Sequence, residues 1–176
     1  MSKLLIGLGN PGEEYKDSRH NAGVLLVGYL TREQVNKRSH AAEGRASEEL
    51  KAEKTSVFMN ESGRDVRRLR DFYKVSNDDL YVAYDDLDIP LGSYKISKGK
   101  SPRVHNGINS VTEELGTEEF WHVRIGIDNR EQRNKGTREQ GRDYVLSDFT
   151  EEERETLERV FLEITQRLVT SVTPKF

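Results

Sequence analysis

The chain has 176 residues, 34% hydrophobic and 34% charged, with a formal net charge of −3. That length supports one domain with a full core and is too short for two comfortable ones. Cysteine is absent, which excludes disulfides, thiolate nucleophiles and cysteine-based zinc sites. No signal-peptide pattern is present, and no apolar run approaches the roughly 20 residues of a membrane span, so a cytoplasmic protein is expected.

Lys3 to Leu8 reads as a short buried parallel strand that stops at the turn Gly9-Asn10-Pro11-Gly12. Pro11 fixes its own φ and biases Asn10 towards an extended conformation, while Gly12 admits a positive φ. The turn therefore holds Asn10 at the carboxyl end of a strand, where open α/β sheets place their ligands. Tyr15 and His20 follow closely, with His20 near the start of a helix predicted over Asn21 to Lys37. Its apolar stripe is broad and is interrupted by Gly28. Residues 38 to 50 are polar and small and read as a loop. Glu49 to Met59 reads as one or two short strands ending in Ser56-Val57-Phe58-Met59.

Ser62 is the expected N-cap of a helix from Gly63 to Tyr73, with Val66, Leu69, Phe72 and Tyr73 inward. Leu80 to Tyr84 reads as a central strand, with Asp85 and Asp86 just past its carboxyl end. Ser93 to Ser97 reads as a strand that turns back. A basic loop, Lys98 to Arg103, leads into His105-Asn106-Gly107 and a helix through Leu115. Trp121 to Ile127 alternates as a strand does, and Asp128 to Arg142 reads as a charged loop. Thr150 is placed to cap a helix of about twenty residues whose inner face is Leu157, Val160, Phe161, Ile164 and Leu168. Strands alternating with helices, without an internal linker, predict a three-layer α/β domain over residues 1–176.

Asn10 with His20, Met59 with Asn60, Asp85, and His105 with Asn106 all stand at strand ends or helix starts. If the strands are neighbours in one sheet, these groups gather at one edge. A histidine held by a carboxylate can take a proton from water, and asparagine amides can position the water or bind an amide substrate. No serine or cysteine stands in a nucleophile-elbow context, which favours direct attack by water. Gly7 to Gly12 matches G-x-G-x-x-G, but Pro11 stands where the helix should open, and the acidic residue expected about twenty positions after the turn is hard to place. Dinucleotide binding is therefore disfavoured. His20, Asp85 and His105 fit no compact metal-ligand spacing. His40 and His122 read as structural or surface residues.

Lys95, Lys98, Lys100 and Arg103 form a basic stretch without an intervening acid, which Arg124 on the next strand could join. A patch of this kind suits phosphate contact even on an acidic chain; the alternative is a solvated loop. Arg64, Arg67, Arg68 and Arg70 lie at helical spacing and are expected to face solvent.

Taken together, Leu5-Ile6-Gly7-Leu8-Gly9-Asn10-Pro11-Gly12, Tyr15, Ser18-Arg19-His20-Asn21-Ala22-Gly23, Phe58-Met59-Asn60-Glu61-Ser62-Gly63, Asp85-Asp86-Leu87-Asp88-Ile89-Pro90-Leu91-Gly92, His105-Asn106-Gly107 and Arg124-Ile125-Gly126-Ile127 resemble the bacterial-type peptidyl-tRNA hydrolase family. The match is collinear over most of the chain. The resemblance implies a single α/β domain with a mixed, mostly parallel central sheet flanked by helices. It implies hydrolysis of the ester between peptide and tRNA by a monomer without metal or cofactor. By position, His20 would be the general base and Asp85 the carboxylate that orients it. Asn10, Tyr15, Met59, Asn60, His105 and Asn106 would contact substrate, and Lys95 and Arg124 would hold tRNA phosphate, with Lys98, Lys100 and Arg103 nearby. Some relatives bind RNA without hydrolysis. The chain departs from the family at Lys98 to Val104, where a Gly-rich loop is usual. That departure implies a stiffer, more basic loop with altered tRNA contact.

Overall fold

Leu4, Leu5 and Ile6 are fully buried in the first strand, β1 (Lys3–Gly7), which lies inside a five-stranded sheet. The computed structural model describes residues 2–38, 50–102, 104–130 and 141–170. The other strands are β2 (Leu50–Lys54), β3 (Leu80–Pro90), β4 (Tyr94–Lys98) and β5 (Trp121–Asp128), in the order β2-β1-β3-β5-β4. β1, β2, β3 and β5 are mutually parallel, and β4 runs antiparallel to β5, so the sheet is mixed and mostly parallel.

Alternation along the strands divides the core in two. Leu5, Tyr81, Ala83, Val123 and Ile125 pack with α1 (Ala22–Arg38) and the last helix, whose Leu157, Val160, Phe161 and Ile164 face the sheet. Leu4, Ile6, Leu80, Val82 and Tyr84 pack with Val66 and Leu69 of α2 (Ser62–Tyr73) and Ile108 and Val111 of α3 (Asn106–Leu115). Two further helices, α4 (Gly141–Leu146) and α5 (Glu151–Thr170), close the chain. The result is the expected three-layer α/β fold.

Thr150 caps α5 as its sequence predicts. The Glu153 amide donates to Thr150 Oγ1 at 3.2 Å, and Glu153 Oε2 accepts from the Thr150 amide at 2.8 Å, a reciprocal capping box.

Several elements differ from expectation. β3 does not stop at Tyr84 but runs to Pro90, so Asp85 and Asp86 lie within the strand. The reason is the partner: β1 pairs β3 only as far as Gly7 against Ala83, whereas β5 pairs it past Asp86. The returning strand spans Tyr94–Lys98 and pairs with β5. Ser56 to Met59 forms no strand, since the chain leaves the sheet after Lys54 and enters a 3-10 turn at Met59–Glu61. That turn leads directly into α2, so Ser62 is the first helical residue and its hydroxyl bonds the Met59 carbonyl at 2.7 Å. Phe72 is 73% exposed because it falls off the stripe defined by Val66, Leu69 and Tyr73. β5 is buried on both faces rather than cleanly alternating. Part of the stretch expected as a loop after Asp128 forms α4, and its remainder, like most of the loop expected over 38 to 50, lies outside the described residues.

A close backbone crossing brings α1 onto the sheet. A Cβ on Gly23 would lie 2.1 Å from the Ala83 carbonyl oxygen, and one on Gly7 would lie 2.2 Å from the Gly23 oxygen. Only glycine at both positions lets the first turn of α1 rest on β1 and β3. That contact brings the residues just before α1 to the end of β1, beside Asp85.

Candidate active site

The residues preceding α1 form a 3-10 turn, Arg19–Asn21, whose successive side chains reach different supports. Asn21 grips the Gly-rich turn, its Oδ1 accepting from the Asn10 amide at 2.8 Å and its Nδ2 donating to the Asn10 carbonyl at 2.9 Å. His20 turns to β3, with Nδ1 2.9 and 3.0 Å from the two carboxylate oxygens of Asp85. Asp85 is buried, two residues beyond Ala83, where the pairing of β3 with β1 ends. Its Oδ1 is also 2.9 Å from His105 Nε2, and His105 caps α3 by accepting the Ile108 amide on Nδ1 at 3.2 Å.

These contacts settle the protonation pattern. A ring nitrogen that accepts a backbone N–H carries no proton, so His105 holds its proton on Nε2 and donates it to Asp85. Asp85 accepts from His20 Nδ1–H as well. His20 Nε2 then carries the lone pair and has no hydrogen-bond partner among the described residues. Burial alone would raise the Asp85 pKa, but the hydrogen bonds and positive potential of His20 and His105 outweigh it and hold the carboxyl well below the usual range. Burial likewise opposes charge on His20, yet the Asp85 carboxylate prevails and its pKa is raised. The result is an ionised carboxylate, an oriented imidazole and a basic nitrogen on a side chain that keeps 14% of its surface exposed.

His20, Asp85 and His105 offer donor atoms within 4.8 Å of one another, close enough to raise the question of a metal. The His105 nitrogen facing Asp85 is the protonated one and has no lone pair to offer. As it stands, the cluster forms a hydrogen-bond network.

The other expected residues have differing surroundings. Asn10 Oδ1 accepts from the Met59 amide at 2.8 Å, which leaves its Nδ2 as the free donor. Met59 is buried, and its sulfur sits so close to Gly107 that a Cβ there would be 2.4 Å from it. Gly107 follows Asn106 at the start of α3, so Met59 ties the Gly-rich turn to the His105 helix. Asn60 and Asn106 are exposed, and their side-chain amides make no hydrogen bond within the described residues. Tyr15 and Phe58 meet edge to face at 6.5 Å, and Phe58 is 52% exposed. His105 has both ring nitrogens engaged and is buried, so it supports Asp85 rather than presenting a free donor to a substrate.

The basic residues separate into distinct environments. Lys95 and Arg124 are register partners on β4 and β5. Arg124 is largely buried, with Nε 2.6 Å from Asp86 Oδ2, whereas Lys95 is exposed. Lys98 pairs with Asp78 at 2.5 Å, an acid supplied from the turn before β3. Lys100 is exposed, and no acid pairs with it or with Lys95 among the described residues. Arg103 lies outside the described residues, as does His40. Arg64, Arg67, Arg68 and Arg70 pair with neighbouring acids, as expected for a solvated face. His122 is buried and structural, accepting from Tyr84 Oη at 2.8 Å.

Sequence reasoning assigned no role to Asn21, Arg19, Phe58 or Asp86. Asn21 and Phe58 stand inside motifs that drew attention for their neighbours. Arg19 and Asp86 act through partners that nothing local to them reveals. A groove of about 700 Å³ between α1, β2 and α5, lined by Val27, Ala52, Leu157 and Phe161, contains none of the expected site residues.

An imidazole oriented by a buried carboxylate, with a second nitrogen that has no partner among the described residues, is an arrangement suited to proton transfer. The sequence profile described as peptidyl-tRNA hydrolase matches residues 4–175. The chain is 40% identical over 167 residues to the peptidyl-tRNA hydrolase of Desulfitobacterium hafniense, covering 90% of this chain and 86% of that protein. It is 38% identical over 169 residues to that of Cupriavidus metallidurans, covering 90% and 85%. A crystal structure of peptidyl-tRNA hydrolase from Acinetobacter baumannii superposes with a TM-score of 0.76 at 26% identity, covering 97% of this chain and 89% of that one. The chain belongs to the peptidyl-tRNA hydrolase family.

Proposed function

We propose that this protein hydrolyses the ester bond joining a peptide to the terminal ribose of tRNA. The observation that carries this reading is the His20–Asp85 pair, with Nδ1 fixed on the carboxylate and Nε2 free. His20 Nε2 takes a proton from a water molecule as that water attacks the ester carbonyl. The imidazolium that forms is stabilised by Asp85, and it returns the proton to the departing ribose oxygen. An ester needs no stronger activation than a positioned water and base, and binding supplies much of the rest through orientation. The free amide donors of Asn10, Asn60 and Asn106 orient the peptide and the carbonyl. Tyr15, Phe58 and Met59 form the apolar wall of the cleft.

Lys95, Lys100 and Arg124 supply phosphate contacts for the tRNA. The chain acts as a cytoplasmic monomer in this reading, without a metal. Among the described residues no helix is long and apolar enough to cross a membrane. The named relatives are hydrolases and the dyad is intact, which favours catalysis over an RNA-binding role without hydrolysis. The test is incubation of the purified chain with peptidyl-tRNA. Free tRNA and free peptide are expected, and tight tRNA binding without release of peptide would overturn the reading.

A further inference from the structure

Arg19 precedes His20 in the turn that carries it, and its side chain is wholly buried. A buried guanidinium is costly unless its donors are matched. Here Nη2 meets Glu153 Oε2 at 2.6 Å, and Nη1 donates to Ser147 Oγ at 2.6 Å and to the Asp148 carbonyl at 2.5 Å, while Nε has no partner among the described residues. The guanidinium carbon lies 4.5 Å from the centre of the Tyr144 ring. The Arg19 amide also donates to the Ser147 carbonyl at 3.0 Å. Glu153 is itself fixed, by the Thr150 amide at 2.8 Å and by Asn129 Nδ2 at 3.0 Å.

The turn is thus held at two ends. Beyond its carboxyl end, Gly23 rests on the Ala83 carbonyl, and at its amino end Arg19 is clamped to α4 and the start of α5. His20 lies between. With Gly23 on the sheet and Asn21 on the Gly-rich turn alone, the amino end of the turn could pivot and carry the imidazole off Asp85. We infer that Arg19 is a positioning residue for the reaction, whose grip on Ser147, Asp148 and Glu153 holds His20 Nδ1 against both oxygens of Asp85. The inference rests on His20 being the base. The titratable groups facing His20 are Asp85 from β3 and His105 from the start of α3. Those around Arg19 are Glu153 and Tyr144, and the nearby Asp17 is paired with Arg154 at 2.6 Å.

The test uses Arg19→Lys and Ser147→Ala in the full chain. Lysine keeps a charge for Glu153 but cannot donate as a planar fork to several oxygens at once. Arg19→Lys is expected to lower kcat on peptidyl-tRNA by about tenfold with KM within about twofold, the mark of a misplaced base rather than lost binding. The titration of the His20 ring, followed by NMR without substrate, should move to lower pH as its contact with Asp85 loosens. Adding Arg19→Lys to Asp85→Asn should cost far less than it costs the wild-type chain, because both act on the same contact. If Arg19→Lys fails to fold by circular dichroism, Ser147→Ala carries the test with a smaller shift in the same direction. A folded variant with wild-type kcat and an unmoved His20 titration overturns the inference and leaves Arg19 a purely structural residue. A moved titration in a protein that does not cleave peptidyl-tRNA at all sustains the positioning and overturns the functional reading instead.

Discussion

His105 Nε2 lies 2.9 Å from the same oxygen of Asp85 that His20 Nδ1 approaches at 3.0 Å. The two histidines have different duties despite sharing that carboxylate. His105 is locked as a donor by the Ile108 amide on its other nitrogen, whereas the second nitrogen of His20 is free. Asp85 is therefore held from the helix side before it orients the base. His105→Ala should lower kcat by about tenfold, well short of the loss from removing His20, and should also cost about 1 kcal/mol as the cap of α3 disappears. Steady-state kinetics and thermal melts on the same preparation separate the two effects.

Removing the base itself is the sharpest trial of the chemistry. His20→Ala should cut turnover of peptidyl-tRNA by roughly 10²–10⁴ while leaving tRNA affinity near wild type and the protein folded, with a lowered melting temperature because buried Asp85 loses one of its two partners. Wild-type rates in that variant would end the case for a histidine base.

The pH dependence has a definite sign. Asp85 raises the His20 pKa, so protonation silences the base below a midpoint above the ordinary histidine value of about 6.5. Asp85→Asn should move that acid limb to lower pH and reduce the plateau rate. The stability linkage runs oppositely for the two groups. The raised His20 contributes stability below its unfolded pKa and loses it as pH rises through its folded one. The depressed Asp85 contributes above its unfolded value near 4 and loses it as pH falls. Urea titrations across pH on wild type and Asp85→Asn measure the acid side directly.

Gly23 offers a test of how the turn reaches the sheet. In Gly23→Ala the added carbon would lie 2.1 Å from the Ala83 carbonyl, a backbone atom that cannot swing away. Overpacking of this kind costs about 1–3 kcal/mol. The melting temperature should fall by several degrees, and kcat should fall with it because Ala83 neighbours Asp85. An unchanged melting curve would mean that α1 does not press on β3 as closely as described.

The cations should behave unequally towards tRNA. Lys95 and Lys100 are exposed and without acidic partners among the described residues, so neutralising either should reduce the salt slope of tRNA binding by about one phosphate. Lys98 already pairs with Asp78, and its removal should matter less. Arg124→Ala strands the buried Asp86 carboxylate, for a penalty of about 3–5 kcal/mol. Binding curves for that variant need to be read beside its melting temperature. Equal salt slopes for all of the lysine variants would return the basic stretch to a solvated loop.

The order of elements and the gathering of His20, Asp85 and Asn10 at one edge of the sheet were legible because each stands where an apolar run meets polar residues or glycine. The true reach of β3 was not. Pro90 and the cluster of aspartates look like a turn, and only the presence of β5 alongside turns them into strand. Phe72 was misplaced by hydrophobicity alone, although its phase on α2 argues against burial. His105 looked like a substrate contact because nothing in its neighbourhood says that Ile108 will occupy one nitrogen. The Lys98 pairing depends on Asp78, from a segment distant in sequence, and patch reasoning along the chain does not see it.

The clamp on Arg19 also has a consequence for how the protein is made. Its principal counterion, Glu153, is added 134 residues later. A partly synthesised chain can hold His20, Asp85 and His105, yet its histidine turn then rests on the sheet and the Gly-rich turn without the Arg19 clamp. If Arg19 positions the base, competence of this chain arrives with its last helix rather than with the last residue of the dyad, so the emerging chain is the least able to act while it is still joined to a tRNA of its own.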